Sequence, residues 1–509
     1  MIRGFKSYSR RMTAMRCLFL CIENKDGKRM AKKKKNGDGL YFVGQSSIDV
    51  TGSQYLVKFM EYQCLLECGL HQSSSNDYLD SYRVNSRKFQ FNPSEIDFVF
   101  ICHSHIDHIG LLPRLVKEGF HGEIICTFNT SKIMKPLLMN CAYIIQDEAR
   151  VLSKRYHREY KPLFDEGDVL KTMSLIHVYD EYNIIKNLND KISFQWLKNS
   201  HCVGAAQLQL ILRDKLRTRK ILYTSDIGAL HTKNHYVDDT EIPDTYSDIT
   251  IMESTYGSDR RISNKTRGFD LEHLRVAIKT VLGRKGSIVM PCFSFSRTQE
   301  LLTNLFILLK DDKDFKAQVI VDSKLSCEIN DIYGDILTDE DAELWRNVSS
   351  WDKVKFIEDK ESSQENLLDN TPKIILSSSG FCTNGRIINY LKKYLKDENS
   401  MIIFSGYVGD NPSYLSYRIK NFSNRLAIKI NKEEIPNRAD CITLSTFSSH
   451  ANHDDLITYG SSLNTSKLIL VHGSDESKKC LAEKLKQTIS KNNRTYRVVC
   501  ANKDMVIHL

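Results

Sequence analysis

The chain has 509 residues, 41% of them apolar, with nine prolines and a formal net charge of +9. That length suits two or three domains, and the apolar share excludes a disordered chain. The mild positive charge is compatible with a polyanionic partner without specifying one, and no run approaches the ~20 apolar residues of a membrane span.

The basic excess is concentrated at the start, where residues 1–29 carry eight Lys and Arg against Glu23 and Asp26. Residues 1–37 read either as a basic arm that touches phosphates or as a mis-assigned start, with Met30-Ala31 before Lys32 to Lys35 as a natural beginning. Arg16 to Ile22 is too short an apolar core for a secretory signal, so a soluble, cytoplasmic chain is expected. The fourteen Cys contain no C-x-x-C pair, and many, such as Cys102, Cys126 and Cys292, lie in apolar runs. Reduced, buried thiols are expected rather than a disulfide framework.

The first informative strand is Tyr62 to Leu66, which ends in Glu67-Cys68-Gly69. The apolar run Ile96 to Ile101 predicts a second, buried strand. It leads into His103-Ser104-His105-Ile106-Asp107-His108, three imidazoles and a carboxylate in one turn-sized segment. A helix is predicted after Gly110, with Pro113 tolerable only in its first turn. The motif is therefore placed on a strand-to-helix loop. His103 and His105 are two apart and face the same way on extended backbone, whereas Asp107 and His108 are adjacent and diverge. That geometry suits two metal ions side by side, and imidazole with carboxylate is a zinc ligand set.

Further strands end on polar residues of the same kind. His201 follows Phe194 to Leu197, Asp226 follows Lys220 to Tyr223, and Glu253 closes Ile249 to Met252. His450 follows Thr446-Phe447-Ser448-Ser449, and His472 follows Leu468 to Val471. Singly, each is an ordinary strand-end residue; their recurrence is how a sheet edge assembles a site from distant segments. The polar stretches 258–268, 310–316 and 358–373 are expected to be loops.

In order and wording these pieces resemble a known family. His103-x-His105-x-Asp107-His108, then His201, then Asp226 resemble the metal motifs of the metallo-β-lactamase fold. Glu253 in Met-Glu-Ser-Thr-Tyr-Gly, His450 in Phe-Ser-Ser-His-Ala and His472 in Leu-Val-His-Gly resemble the extra motifs of its β-CASP branch, which acts on nucleic acids. Asp49-Val50-Thr51-Gly52-Ser53, Pro291 to Leu301 and Ser378 to Ile387 resemble further segments of that branch. The likeness runs from about residue 40 to the end. It is closer to the compact bacterial and archaeal ribonucleases, and to the endonuclease subunit of the cleavage and polyadenylation factor, than to the ribonuclease J type with its long C-terminal domain.

The resemblance implies an α/β fold: an αββα sandwich over 38–257, resumed over 439–509, with an α/β β-CASP domain inserted over 258–438. It implies two Zn²⁺ ions, one held by His103, His105, His201 and Asp226, the other by Asp107, His108, Asp226 and His472. A hydroxide activated by both metals would attack phosphorus, oriented by Asp107. His450, paired with Glu253, would contact the phosphate or protonate the leaving oxygen. Ser379, Gly380, Arg386 and Arg297 are the candidates for RNA backbone contacts. Glu67 stands where the family has Asp, supporting the ligands from behind with one extra methylene.

The expected activity is a zinc-dependent ribonuclease, cutting internally, from the 5′ end, or both. RNA is the expected partner, no membrane partner is expected, and the reading allows a homodimer. The competing readings are a DNA nuclease of the same superfamily, against which His472 argues; a non-catalytic RNA-binding subunit, which would have lost ligands; and a thioester hydrolase, which has no use for the insert.

Overall fold

The computed structural model describes residues 37–72, 78–258, 266–409, 412–422, 426–492 and 494–509. The basic arm over 1–36, with Cys17 and Cys21, and the middle of the stretch 258–268 lie outside the described residues. The described cysteines form no disulfide, and no described helix is long and apolar enough to cross a membrane.

Two seven-stranded sheets stack face to face. The first has the order Val506–His508, Gly39–Phe42, Tyr55–Phe59, Tyr62–Leu66, Phe98–Phe100, Glu123–Cys126, Ile176–Val178. The second has the order Arg497–Cys500, Lys467–Val471, Ile249–Glu253, Thr218–Tyr223, Ala206–Arg213, Ile192–Lys198, Lys186–Asn187. The period-two alternation of the strands decides what each face buries. Tyr55, Val57 and Phe59 join Phe194, Trp196, Ile221, Tyr223, Ile469 and Val471 between the sheets. The intervening residues point outward. Leu65, Val99 and Ile101 meet the helices Leu112–Lys117, Phe128–Tyr156 and Glu166–Met173. On the other side Leu222, Met252, Leu468 and Leu470 meet His453–Ser462 and Asp475–Lys491. The result is the four-layer αββα sandwich.

A third, six-stranded sheet is parallel throughout, with the order Val354–Ile357, Gln318–Asp322, Lys373–Ser377, Ile288–Pro291, Met401–Phe404, Asp440–Thr443. Both faces are covered, as a parallel sheet requires. Ile288, Met290, Val321 and Leu376 pack on one side under Arg297–Leu309 and Lys324–Ile336, and Val289, Ile320 and Ile402 on the other under Ile387–Tyr394.

Three expectations change. The boundary expected at 438 falls before the last strand of the third sheet, Asp440–Thr443. The stretch 358–373, expected as a loop, contains the helix Lys360–Leu368, started by Asp359, whose carboxylate caps the Ser362 amide at 2.7 Å. His450 follows the short 3₁₀ turn Ser445–Phe447 rather than a strand.

The sandwich and the third sheet's layer meet at a buried carboxylate. Glu300, on the helix Arg297–Leu309, accepts from the His235 amide at 2.7 Å and faces His235 Nδ1 at 2.9 Å and Arg267 Nη1 at 3.1 Å. Burial opposes its charge, but His235 and Arg267 outweigh this and hold it at about 2. Nearby, Asp270 caps the Thr446 amide at 2.8 Å.

Trp196, 1% exposed, meets Phe100 and Phe194 edge-on between the two sheets. Trp196→Ala is expected to cost about 3–5 kcal/mol, read as a lowered denaturant midpoint; an unchanged midpoint would contradict the placement of the core.

Candidate metal centre

The strand directions bring the ligands together. Thr218–Tyr223, Ile249–Glu253 and Lys467–Val471 are parallel neighbours, so Asp226, Glu253 and His472 emerge at one edge of the second sheet. Ile192–Lys198 runs the same way and delivers His201 there. In the first sheet Tyr62–Leu66 and Phe98–Phe100 are parallel and deliver Glu67 and the segment from His103. The segment divides into an extended part to His105 and a single helical turn, Ile106–Ile109, that carries Asp107 and His108. It can sit against the neighbouring loop because residue 69 is glycine: a Cβ there would lie 1.6 Å from the Asp107 carbonyl oxygen. Three of these loops turn through left-handed backbone at non-glycine residues, Glu67 (φ 59°), Ser225 (φ 52°) and His472 (φ 50°), a conformation that clusters at functional sites.

Two groups of donor atoms result, sharing Asp226. In the first, His105 Nδ1 lies 3.1 Å from both His103 Nε2 and His201 Nε2, and Asp226 Oδ2 lies 3.8 Å and 3.7 Å from the latter two. In the second, His108 Nε2 lies 3.3 Å from Asp226 Oδ2 and 3.7 Å from Asp107 Oδ2. His472 Nε2 lies 3.4 Å from Asp107 Oδ2. A tetrahedral zinc site with bonds of about 2.0–2.1 Å places its donors about 3.3 Å apart, so both groups have the spacing of ligands around a common centre. His108 Nε2 and Asp226 Oδ1 are buried without a hydrogen-bond partner, as donors aimed at a cation would be. The residues present fit two divalent ions.

The electrostatics agree. Burial and the neighbouring imidazoles hold His103 and His201 well below the ordinary histidine range, and burial holds His105 at about 4, so all three keep the neutral, ligating form. In the second group burial also opposes protonation, but Asp226 and Asp107 outweigh it and raise both His108 and His472.

Side chains behind the ligands fix their orientation. Glu67 Oε1 accepts from the Cys102 amide and from Ser225 Oγ, both at 3.2 Å, and lies 3.5 Å from His108 Nδ1. Ser225 Oγ is in turn 3.2 Å from His103 Nδ1. The longer Glu side chain thus reaches both halves of the centre. Asn199 accepts from the His201 and Gly228 amides and donates to the Asp226 and Thr224 carbonyls, clamping two ligand loops together. Thr255 Oγ1 lies 3.0 Å from His472 Nδ1. Sequence reasoning missed Ser225, Asn199 and Thr255. Ser225 adjoins Asp226 and was visible as a neighbour, but neither Asn199 nor Thr255 carries a signal without its partners.

His450 lies beside both groups. Its Nδ1 is 3.2 Å from Glu253 Oε1 and its Nε2 is 4.0 Å from Asp226 Oδ2. Glu253 is 1% exposed and also accepts from the Ile227 and Thr255 amides. Asp107, His105, His450 and His472 line a cavity of about 1140 Å³ that runs on to Ser379, Arg297, Arg386 and Lys324 of the inserted layer.

The four residues expected to touch RNA lie near this cavity, but three of the four are engaged elsewhere. Arg297 is half-buried and donates to the Ser405 carbonyl. Arg386 pairs with Asp322 at 2.5 Å and donates to the Ile357 and Glu358 carbonyls. Ser379 Oγ accepts from the Thr383 amide at 3.0 Å. Gly380 is buried and its Cα packs under Phe293, where a Cβ would lie 3.0 Å from the ring. The two arginines therefore hold the loops around the cavity in place.

Comparison with known proteins agrees with this geometry. Residues 49–175 match the metallo-beta-lactamase superfamily, 298–412 the Beta-Casp domain, and 434–496 the Zn-dependent metallo-hydrolase RNA specificity domain. The chain is 26% identical over 434 residues to a ribonuclease of Thermus thermophilus, covering 84% of this chain and 91% of that protein. It is 27% identical to a probable RNase of Methanocaldococcus jannaschii (85% and 91% covered) and 23% identical to the endoribonuclease YSH1 of Candida glabrata (87% and 56% covered). A crystal structure of a protein of unknown function from Enterococcus faecalis superposes with a TM-score of 0.52 at 14% identity, covering 93% of this chain and all of that one, and so shares the fold.

Asp226→Ala is expected to strip divalent metal from both groups, whereas His105→Ala weakens only the first by 10-fold or more, roughly. Metal content by mass spectrometry after dialysis distinguishes them; full occupancy in Asp226→Ala would refute a shared ligand. As pH falls, protons take the raised His108 and His472 before the depressed His103, His105 and His201, so metal is expected to leave in two steps, the second group emptying first. A pH titration of metal release checks this order.

Proposed function

The chain belongs to the β-CASP branch of the metallo-β-lactamase superfamily, and from that premise we propose that it is a zinc-dependent ribonuclease that hydrolyses RNA phosphodiester bonds. The observation that carries the reading is the pair of donor groups sharing Asp226 at the floor of one cavity, with the His450–Glu253 pair at its edge. Zn²⁺ ions held by these two groups would supply Lewis acidity, which would make water a nucleophile at neutral pH and absorb charge on the phosphoryl oxygens.

The protein's own groups do the rest. Asp107, with its side chain 16% exposed at the cavity floor, accepts a hydrogen bond from the attacking water and sets its direction. Glu253 accepts a hydrogen bond from His450 Nδ1–H, which turns Nε2 toward the reacting phosphate. The imidazolium form of His450 carries a second proton on Nε2 and gives it to the leaving ribose oxygen. Asn199, Ser225 and Thr255 hold the ligands in position, so little rearrangement accompanies the reaction.

Purified protein given labelled RNA, Zn²⁺ and a chelator control tests the reading. His450→Ala is expected to lower kcat by about 10²–10⁴-fold with both metals retained. RNA that is bound but survives in Zn²⁺ would instead support a non-catalytic subunit.

A further inference from the structure

The geometry points to an aromatic platform in the inserted layer, built on Phe293 and Tyr407, on which one base of the RNA stacks. This rests on the ribonuclease reading and adds a binding subsite to it. Phe293 leaves the carboxyl end of strand Ile288–Pro291, Phe381 that of Lys373–Ser377, and Tyr407 that of Met401–Phe404. These are three adjacent parallel strands, and ligands of open parallel sheets bind outside the carboxyl ends of their strands. All three rings, with Tyr414, line the same cavity as the metal centre. Phe381 sits among the others, its centroid 5.2 Å from Phe293, 5.1 Å from Tyr414 and 6.3 Å from Tyr407, edge-on to Phe293 and Tyr407.

Exposure separates these rings from ordinary core packing. Within the same loops Cys292, Phe295 and Cys382 are at most 3% exposed, whereas Phe293 is 40% and Tyr407 41% exposed. Two large rings left facing one cavity call for an apolar, planar occupant. A nucleobase is such a body, and every base has a face that stacks on an aromatic side chain. The site adjoins the chemistry: Phe295, two residues after Phe293 and so within about 7 Å along the chain, lies 5.3 Å from the ring of His105. The platform is also built by its sequence. The Phe293 ring packs closely on Gly380, where a Cβ would lie 3.0 Å from it and push it aside by a few tenths of an ångström. Gly406 adopts φ 145°, where a Cβ would strike the Arg297 guanidinium, and this turn delivers Tyr407 to the cavity.

The test uses metal-loaded protein and a short single-stranded RNA, intact or with one abasic nucleotide moved along it. Phe293→Ala and Tyr407→Ala are expected to raise KM about fivefold or more with kcat and metal content held, and Phe293→Trp to restore KM. In the wild type an abasic nucleotide at one position raises KM equally, and in Phe293→Ala the same RNA gives no further rise. Variants that match the wild type, or losses that multiply when ring and base are both removed, overturn the platform while leaving the ribonuclease reading in place. Wild-type protein that cuts no RNA in Zn²⁺ overturns both.

Discussion

One carboxylate organises this molecule. Asp226 is 2% exposed and stands within 4.0 Å of His103, His108, His201, His450 and His472. A charge so buried is tolerable only when opposite charge surrounds it. Meeting that need takes ligands from both sheets of the sandwich and the residue beyond the turn Ser445–Phe447, so the stacking of the sheets is also the assembly of the centre. The left-handed turns at Glu67, Ser225 and His472 follow from the same demand: each brings a side chain inward where an ordinary turn would carry it past.

The parts of the site that could be read in the sequence are those where chemistry and local structure coincide. His103 to His108 is dense enough to announce itself, and the strand-end residues Glu67, His201, Asp226, Glu253 and His472 follow apolar runs whose direction is plain. The sandwich was legible through the likeness of these motifs, in their order, to a known family; which residues its two sheets bury against each other was seen only in the structure. What escaped depends on distant partners. Arg297 and Arg386 line the cavity, but the partners that orient them, Ser405, 108 residues away, and Asp322, could not be read from the chain. Asn199 looks like a loop asparagine until its four backbone partners surround it. The helix Lys360–Leu368 escaped because its composition is polar throughout, with only Asn366 buried; its start lay in a cap, not in a hydrophobic pattern.

The cavity is lined by two kinds of surface with different physics. The sandwich contributes carboxylates and imidazoles at ligand spacing, where displacements of a few tenths of an ångström matter. The inserted layer contributes rings and loop backbone, where contact is broad and tolerant of sequence. Both surfaces come from the carboxyl ends of parallel strands, so three sheets point at one space. On the function proposed above, the reacting group would be held by ions while the rest of the RNA is gripped through features common to every nucleotide.

How far apart those two surfaces stand is decided at Glu300. Its carboxylate is 2% exposed and joins the main chain of His235 to Arg267, while Asp270 ties Thr446 on the return passage. Swinging the layers apart would take His235 from that anion and give it water instead, so these contacts favour the spacing seen here. The width of the gap is thus set by a junction remote from the metal ligands, and a change at Glu300 would alter it without touching the centre.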